Sequence, residues 1–204
     1  FKKPDVLLKV KVFHMDDIWS ADLIFLPPEH RYKVALTVID LYTKFAWVRK
    51  LKNKTGTEVA KAFEDIMKTS KRKPKKLWVD QGSEFYNQLF KKMLKDDDID
   101  MYSTYNEGKA VVIENFNRTL KSRLFKAFTV NGNQKWVDII QNIVYDYNNK
   151  IHSVIGISPS EATNDPEKIK ARVMQNNYQQ ELDSYDQHQS RGQRFKVGDR
   201  VRIC

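Results

Sequence analysis

Three acidic residues stand where an acid is costly to place. Asp22 interrupts the apolar run "WSADLIFL" (19–26), between Ala21 and Leu23. Asp80 ends "KLWVD" and is followed by Gln81-Gly82, a turn signal. Glu114 opens "IENFNRTLKSRLF" (113–125), a helical pattern that otherwise carries Arg118, Lys121 and Arg123. A carboxylate within or at the end of a buried strand loses hydration that something must replace. A shared divalent cation is one replacement. Carboxylate oxygens are hard ligands suited to Mg2+ or Mn2+, and three of them from separate elements can hold two ions. Two ions about 4 Å apart stabilise both the attacking and the leaving oxygen of an in-line phosphoryl displacement. Each acid also has a structural reading: Asp22 could pair with a lysine, Asp80 could shape a turn, and Glu114 could answer a helix dipole.

The helix that carries Glu114 places other groups beside it. At about 100° per residue, Ile113, Phe116, Leu120, Leu124 and Ala127 form one stripe. Glu114, Asn117, Arg118 and Lys121 cluster roughly a quarter turn away, on a strip expected to be exposed. An amide and two cations next to a metal-binding acid could hold phosphates, although a solvated basic face would look the same.

These residues need a frame. "WSADLIFL", closed by Pro27-Pro28, predicts a buried strand; "YKVALTVIDLY" and "KFAWVRKL" predict an antiparallel hairpin. "TGTEVAKAFEDIMKTS" has helical spacing, with Thr57 as the expected N-cap. "LWVD" predicts a short buried strand, "EFYNQLFKKML" a short helix and "IDMYSTY" another strand. Two helices follow, the second with Trp136, Ile139, Ile140, Ile143, Val144 and Tyr147 on its apolar face. The order predicts a mixed α/β domain over 16–165 after an N-terminal arm (1–15), then a helical linker (166–190) and the start of a small β module (191–204).

Composition narrows the class. The 204 residues are 41% hydrophobic and 30% charged, with a formal net charge of +10. That excess favours a polyanionic partner. One cysteine, Cys204, excludes a disulfide framework and a cysteine zinc site, which fits a reducing, intracellular setting. No apolar run reaches the roughly 18 residues of a membrane span. The four histidines (14, 30, 152 and 188) are too scattered for a metal motif. Asp40 reads as structural, and "KTSKRKPKK" reads as a nuclear import signal, a DNA contact or a flexible cationic loop.

The order and wording resemble the catalytic core of retroviral-type integrases, a branch of the RNase H-like superfamily. "WSADL", "VDQGSEF" and "IENFNRTLK" stand where that family carries its two catalytic aspartates and its glutamate. The wording is most similar to integrases of retrotransposons and of Polinton/Maverick transposons. "YNNKIHSVIGISPSEA" (147–162) resembles the end of the same core. "FKVGDRVRI" resembles the opening strand of the SH3-like or chromodomain-like module that often follows, here read as truncated. The 33 residues between Asp80 and Glu114 fall two short of the family's usual separation, and the family's zinc-binding N-terminal domain is here read as absent.

The resemblance implies a five-stranded mixed sheet flanked by helices. It implies metal-dependent DNA 3′-end processing and strand transfer, with Asp22, Asp80 and Glu114 as ligands of two Mg2+ or Mn2+ ions. It further implies DNA contacts from Asn117, Arg118, Lys121, Ser83 and Tyr105. The expected partners are double-stranded DNA and further copies of the chain (at least a dimer), with no membrane association. The expected location is the nucleus. Two rivals are an RNase H-like nuclease and a domesticated, catalytically idle DNA-binding scaffold.

Overall fold

A computed structural model describes residues 10–103 and 111–192. Five strands form one mixed sheet: β1 (Ile18–Glu29), β2 (Tyr32–Asp40), β3 (Ala46–Leu51), β4 (Lys76–Trp78) and β5 (Asp100–Tyr102), in the spatial order β3-β2-β1-β4-β5. β1, β2 and β3 form an antiparallel meander, while β4 and β5 run parallel to β1. Helices α1 (Gly56–Ser70) and α2 (Gln88–Asp96) make the crossovers that parallel strands require. Then come α3 (Val111–Asn131), α4 (Ile140–Asn149), α5 (Pro159–Asn164) and α6 (Lys170–Gly192).

Strand alternation sorts the core into two layers. Trp19, Ala21, Leu36, Val38 and Leu77 pack with Val59, Phe63, Ile66 and Phe90 of α1 and α2. Ile24, Leu26, Ala35, Ile39 and Trp78 pack with Ile113, Phe116, Leu120 and Leu124 of α3 and Val144 and Tyr147 of α4. Asp22 shares the parity of Ile24, so the pleat that buries the strand also turns this acid toward α3.

Several element ends differ from expectation, each for a local reason. β1 does not stop at Pro27-Pro28 but continues to Glu29, through a register irregularity between Phe25 and Glu29. Prolines are tolerated there because no ladder N–H is required of them. The buried Glu29 carboxylate then accepts the backbone N–H groups of Trp136 and Val137, the latter at 2.7 Å, and so satisfies donors at the approach to α4. Thr55, not Thr57, occupies the N-cap of α1, without a side-chain cap. Trp136 lies ahead of α4, with its indole N–H donated to the Pro27 carbonyl at 2.7 Å.

The outer edge of β3 is covered by amide side chains of α4. Asn148 accepts from the Ala46 N–H at 2.9 Å and donates to the Ala46 carbonyl at 2.8 Å. Gln141 donates to the Val48 carbonyl at 3.0 Å. Both Ala46 backbone groups are thereby paired as a neighbouring strand would pair them.

The basic run 71–76 is built into the fold. Lys71 is the left-handed C-cap of α1, with φ 55°. Arg72 donates to Asp16 at 2.7 Å and to the fully buried Asp40 at 3.0 Å. Its guanidinium lies 5.0 Å from the Trp47 ring centroid, 5.8 Å from Phe45 and 5.9 Å from Trp19. Burial pushes the Asp40 carboxyl up, against the Thr43 hydroxyl and the Arg72 charge. Lys75 pairs with Asp17 at 2.8 Å, and Lys73 donates to the Asp97 carbonyl. The expectation of a free cationic loop therefore fails, and Asp40 is structural.

Helix α6 is joined to the domain rather than separate from it. Val173, with Ile169 just ahead of the helix, enters the core of the α3 layer, and Asn177 donates to the Val12 carbonyl at 2.9 Å. Arg172 donates to the carbonyls of Val154 and Ser153, at 2.8 and 2.9 Å. Its guanidinium crosses Gly156 so closely that a Cβ there would lie 2.2 Å from Nη1, and φ at Gly156 is +79°. Only glycine meets both requirements.

Candidate active site

Asp22 lies within β1, opposite Thr37 of β2, and the Thr37 hydroxyl donates to the Asp22 backbone carbonyl at 3.1 Å. Its carboxylate is half-buried. Oδ1 accepts the Leu23 N–H at 2.8 Å, and Oδ2 accepts the Asn117 amide at 2.7 Å. Burial raises the Asp22 carboxyl above its ordinary 3.8, and the negative charge of Asp80 adds to the rise. The Leu23 N–H, the Asn117 amide and the Lys121 ammonium act in the opposite direction without cancelling it. Asp80, from just beyond β4, and Asn117 and Lys121, from α3, thus converge on the Asp22 carboxylate.

Asp80 follows β4, which pairs in parallel with β1 from Ile18 to Ser20. That pairing brings the end of β4 alongside the middle of β1, and so Asp80 toward Asp22. Asp80 is exposed and Oδ1 accepts the Gly82 N–H at 3.4 Å, a small turn of the expected kind. The Glu84 side chain folds over Gly82, where a Cβ would lie 2.6 Å from its carboxyl carbon. Ser83 is exposed in the same turn. The Tyr86 hydroxyl reaches Ser103 Oγ at 2.7 Å and ties this turn to the end of β5.

Glu114 occupies the exposed first turn of α3, three residues before Asn117. The structure brings Asp22 and Asp80 together and sets Glu114 on the helix that reaches Asp22. Among the described residues, no group of three or more His, Cys, Asp and Glu side chains is close enough to hold one metal ion. The fit to a divalent cation therefore rests on Asp22 and Asp80. They are two hard-oxygen donors, and the charge of one raises the proton affinity of the other, a penalty that a cation in their midst removes.

One predicted contact residue is placed differently. Asn117 is not on an exposed strip; it is 7% exposed, its Nδ2 is used by Asp22, and its Oδ1 is buried without a partner. The helical wheel misplaced it because an amide next to cations looks solvated, whereas a half-buried carboxylate across the layer draws it inward. Arg118 is exposed and donates to Asn115 Oδ1 at 2.7 Å. Lys121 is partly exposed and lies within electrostatic reach of Asp22. Tyr105 falls outside the described residues.

Comparison with known proteins agrees with this geometry. The Integrase core domain family matches residues 14–105. A transposon-derived protein of Caenorhabditis elegans is 36% identical over 147 residues, covering 68% of this chain and 51% of that protein. The Pro-Pol polyprotein of feline foamy virus is 31% identical over 139 residues, covering 67% of this chain and 11% of the polyprotein. This chain thus spans about half of the first relative and about a tenth of the second. Among solved structures, the HTLV-2 integrase catalytic core in complex with magnesium superposes with a TM-score of 0.61 at 20% identity, covering 72% of this chain and 95% of that one. The simian T-cell lymphotropic virus intasome gives 0.68 at 16% identity, covering 74% of this chain and 55% of that one. These structures establish the RNase H-like fold. The family match over residues 14–105 and the relatives agree with that fold: the chain is similar to integrase core domains of retroviral and transposon proteins.

Proposed function

We propose that this chain is the catalytic core of a transposon or retroelement integrase, a polynucleotidyl transferase that processes DNA 3′ ends and joins them to target DNA. The observation that carries the proposal is the convergence of Asp80, Asn117 and Lys121 on the half-buried Asp22. In the first reaction, water displaces a 3′-hydroxyl at a phosphodiester near the element's end. In the second, the freed 3′-hydroxyl attacks a target phosphodiester and releases a new 3′-hydroxyl. Both are in-line displacements and require no protein nucleophile.

The proposed cofactor is Mg2+ or Mn2+, two ions held by Asp22, Asp80 and Glu114; bound there, it activates the attacking oxygen and neutralises charge on the phosphate. A related retroviral core has been solved with magnesium, which supports the choice. Asp22 holds the central position, fixed by the β1 backbone on one side and Asn117 on the other. Lys121 supplies positive charge beside it. Lys121, Arg118 and Ser83 are the proposed contacts to DNA phosphates, and Tyr105 is proposed to approach target DNA.

Double-stranded DNA and further copies of the chain are the proposed partners, since joining two ends to one target needs at least two active sites. Related cores are described in dimeric and trimeric forms, which supports an oligomer. The nucleus is the proposed location on the ground that the target DNA lies there. Arg72 is engaged within the fold, while Lys71, Lys73, Lys75 and Lys76 of the same run are exposed. Among the described residues, no helix is long and apolar enough to cross a membrane.

Incubation with labelled element-end duplexes and Mn2+ tests the reading. Products longer than the substrate are expected. Shorter products alone would favour a nuclease, and no product in any arm would overturn the catalytic assignment.

A further inference from the structure

Strands β1 and β4 form a fork. They pair at three rungs, Ile18 with Lys76, Trp19 with Leu77 and Ser20 with Trp78. Asp22 and Asp80 each lie two residues beyond the last rung, so one acid stands on each arm. Among the described residues no further rung joins the arms at the level of the two acids. Their like charges push the arms apart.

Three hydrogen bonds hold the fork where it opens. The Ser20 hydroxyl, on the last rung, donates to the Trp78 carbonyl at 3.1 Å and ties β1 to β4. On the far side of β1, the Thr37 hydroxyl of β2 donates to the Asp22 carbonyl at 3.1 Å. On the far side of β4, the Val79 N–H donates to the Tyr102 carbonyl of β5 at 3.2 Å. The outer two anchor each arm to its other neighbour, and the Ser20 bond is the one of the three that runs from arm to arm. Ser20 and Thr37 are both fully buried. A buried hydroxyl is costly unless it is bonded, so packing alone favours alanine at 20 and valine at 37. What the hydroxyl adds at 20 is a fixed distance between two strands at the point where they part.

We propose that Ser20 is a positioning residue that sets the spacing of Asp22 and Asp80 and thereby selects the bound cation by size. The inference rests on the reading of these two acids as ligands of a shared divalent metal. Mg2+ demands near-ideal octahedral geometry with oxygens at about 2.1 Å, whereas Ca2+ accepts irregular shells at about 2.4 Å. Two donors held at a fixed separation suit the smaller ion, and donors free to move apart accommodate the larger one. Ser20 acts on the ligands through the backbone and not on the metal.

Calorimetric titration of the metal-free protein with Mg2+ and with Ca2+ tests the role. Ser20→Ala is expected to weaken Mg2+ binding about tenfold and Ca2+ binding by much less, so the preference for Mg2+ falls. Ser20→Thr keeps the hydroxyl and is expected to keep the preference. Ile39→Val trims the core on the same face of the sheet without touching a tie. It should lower Tm yet leave the ratio of the two dissociation constants unchanged. An unchanged ratio in Ser20→Ala, the same change in Ile39→Val, or a loss in Ser20→Thr as large as in Ser20→Ala overturns the positioning role. Asp80→Asn separates this inference from the reading beneath it. A parent that binds either ion no better than Asp80→Asn shows that Asp80 is not a ligand, and the inference falls with that assignment.

Discussion

The Asn117 amide donates to Asp22 Oδ2 at 2.7 Å, which joins α3 to the middle of β1 across 95 residues of chain. The bond fixes the rotamer of a carboxylate whose ionised form is already disfavoured by burial. Asn117→Leu keeps the branched shape, with a somewhat larger side chain, and deletes the bond. Strand transfer is expected to fall about 10- to 100-fold, as when the supporting partner of a metal ligand is removed. Urea denaturation should shift by only about 1 kcal/mol, because the unpartnered Oδ1 disappears along with the lost bond. An unchanged joining rate would remove Asn117 from any positioning role.

Asp80 and Asp22 make a different prediction, about metal and pH. The Asp22 pKa is raised in the folded state, so between its ordinary 3.8 and that higher value the native protein binds the proton more tightly than the unfolded chain. Stability from this group is therefore present at low pH and is lost as pH rises through that window. Asp80→Asn removes one cause of the rise, and the metal-free variant should be at least as stable as the parent at neutral pH. Mn2+ at about 100-fold over its Kd should stabilise the parent by about 2.7 kcal/mol and the variant far less. Equal metal-induced shifts in Tm would show that Asp80 is not a ligand.

How much of this was legible in the sequence depended on how local the determining contact was. Asp22 and Asp80 stood out as acids in apolar strands, and the pleat that aims Asp22 at α3 is a two-residue period that any reader can count. The burial of Asn117 was not legible, since the group that draws it inward is 95 residues away. Arg72 was hidden for the same reason. Within "KRKPKK" it looks like one more solvated cation, yet Asp16, Asp40 and three aromatic rings from other elements surround it. Pro27-Pro28 read as a stop because the edge geometry that excuses two prolines exists only in the assembled sheet.

Arg72 should accordingly be among the costliest residues to replace. Arg72→Met leaves Asp40 buried without its cation and is expected to lower stability by roughly 3–5 kcal/mol. Arg72→Lys should recover only part of that, since an ammonium offers neither the planar fork nor the stack on Trp47. Chemical denaturation of both variants checks the order. Adding Asp40→Asn to Arg72→Met should restore part of the loss, because the stranded charge is gone.

His152 sets a pH limit on the other side of the sheet. Its ring lies 6.1 Å from that of Tyr147, and its Nδ1 accepts the Val154 N–H at 3.3 Å. Burial, helped by the Lys44 ammonium, lowers its pKa from 6.5 to about 4. Between those values the unfolded chain holds the extra proton, so stability rises from pH 4 to 6.5 and is flat above. With allowance for partial exposure, the span should be roughly 1–2 kcal/mol. His152→Gln should flatten Tm against pH in that interval while leaving the slope due to Asp22.

The amides of Asn148 and Gln141 along β3 have a consequence for how copies of this domain can meet. A sheet grows by offering an unpaired strand to a newcomer, and here the long border is already occupied by side chains of α4. The opposite border, β5, is only three residues long. Neither border offers a template for indefinite strand-by-strand stacking. Any docking of one copy on another is thereby turned away from strand pairing and toward the helical surfaces.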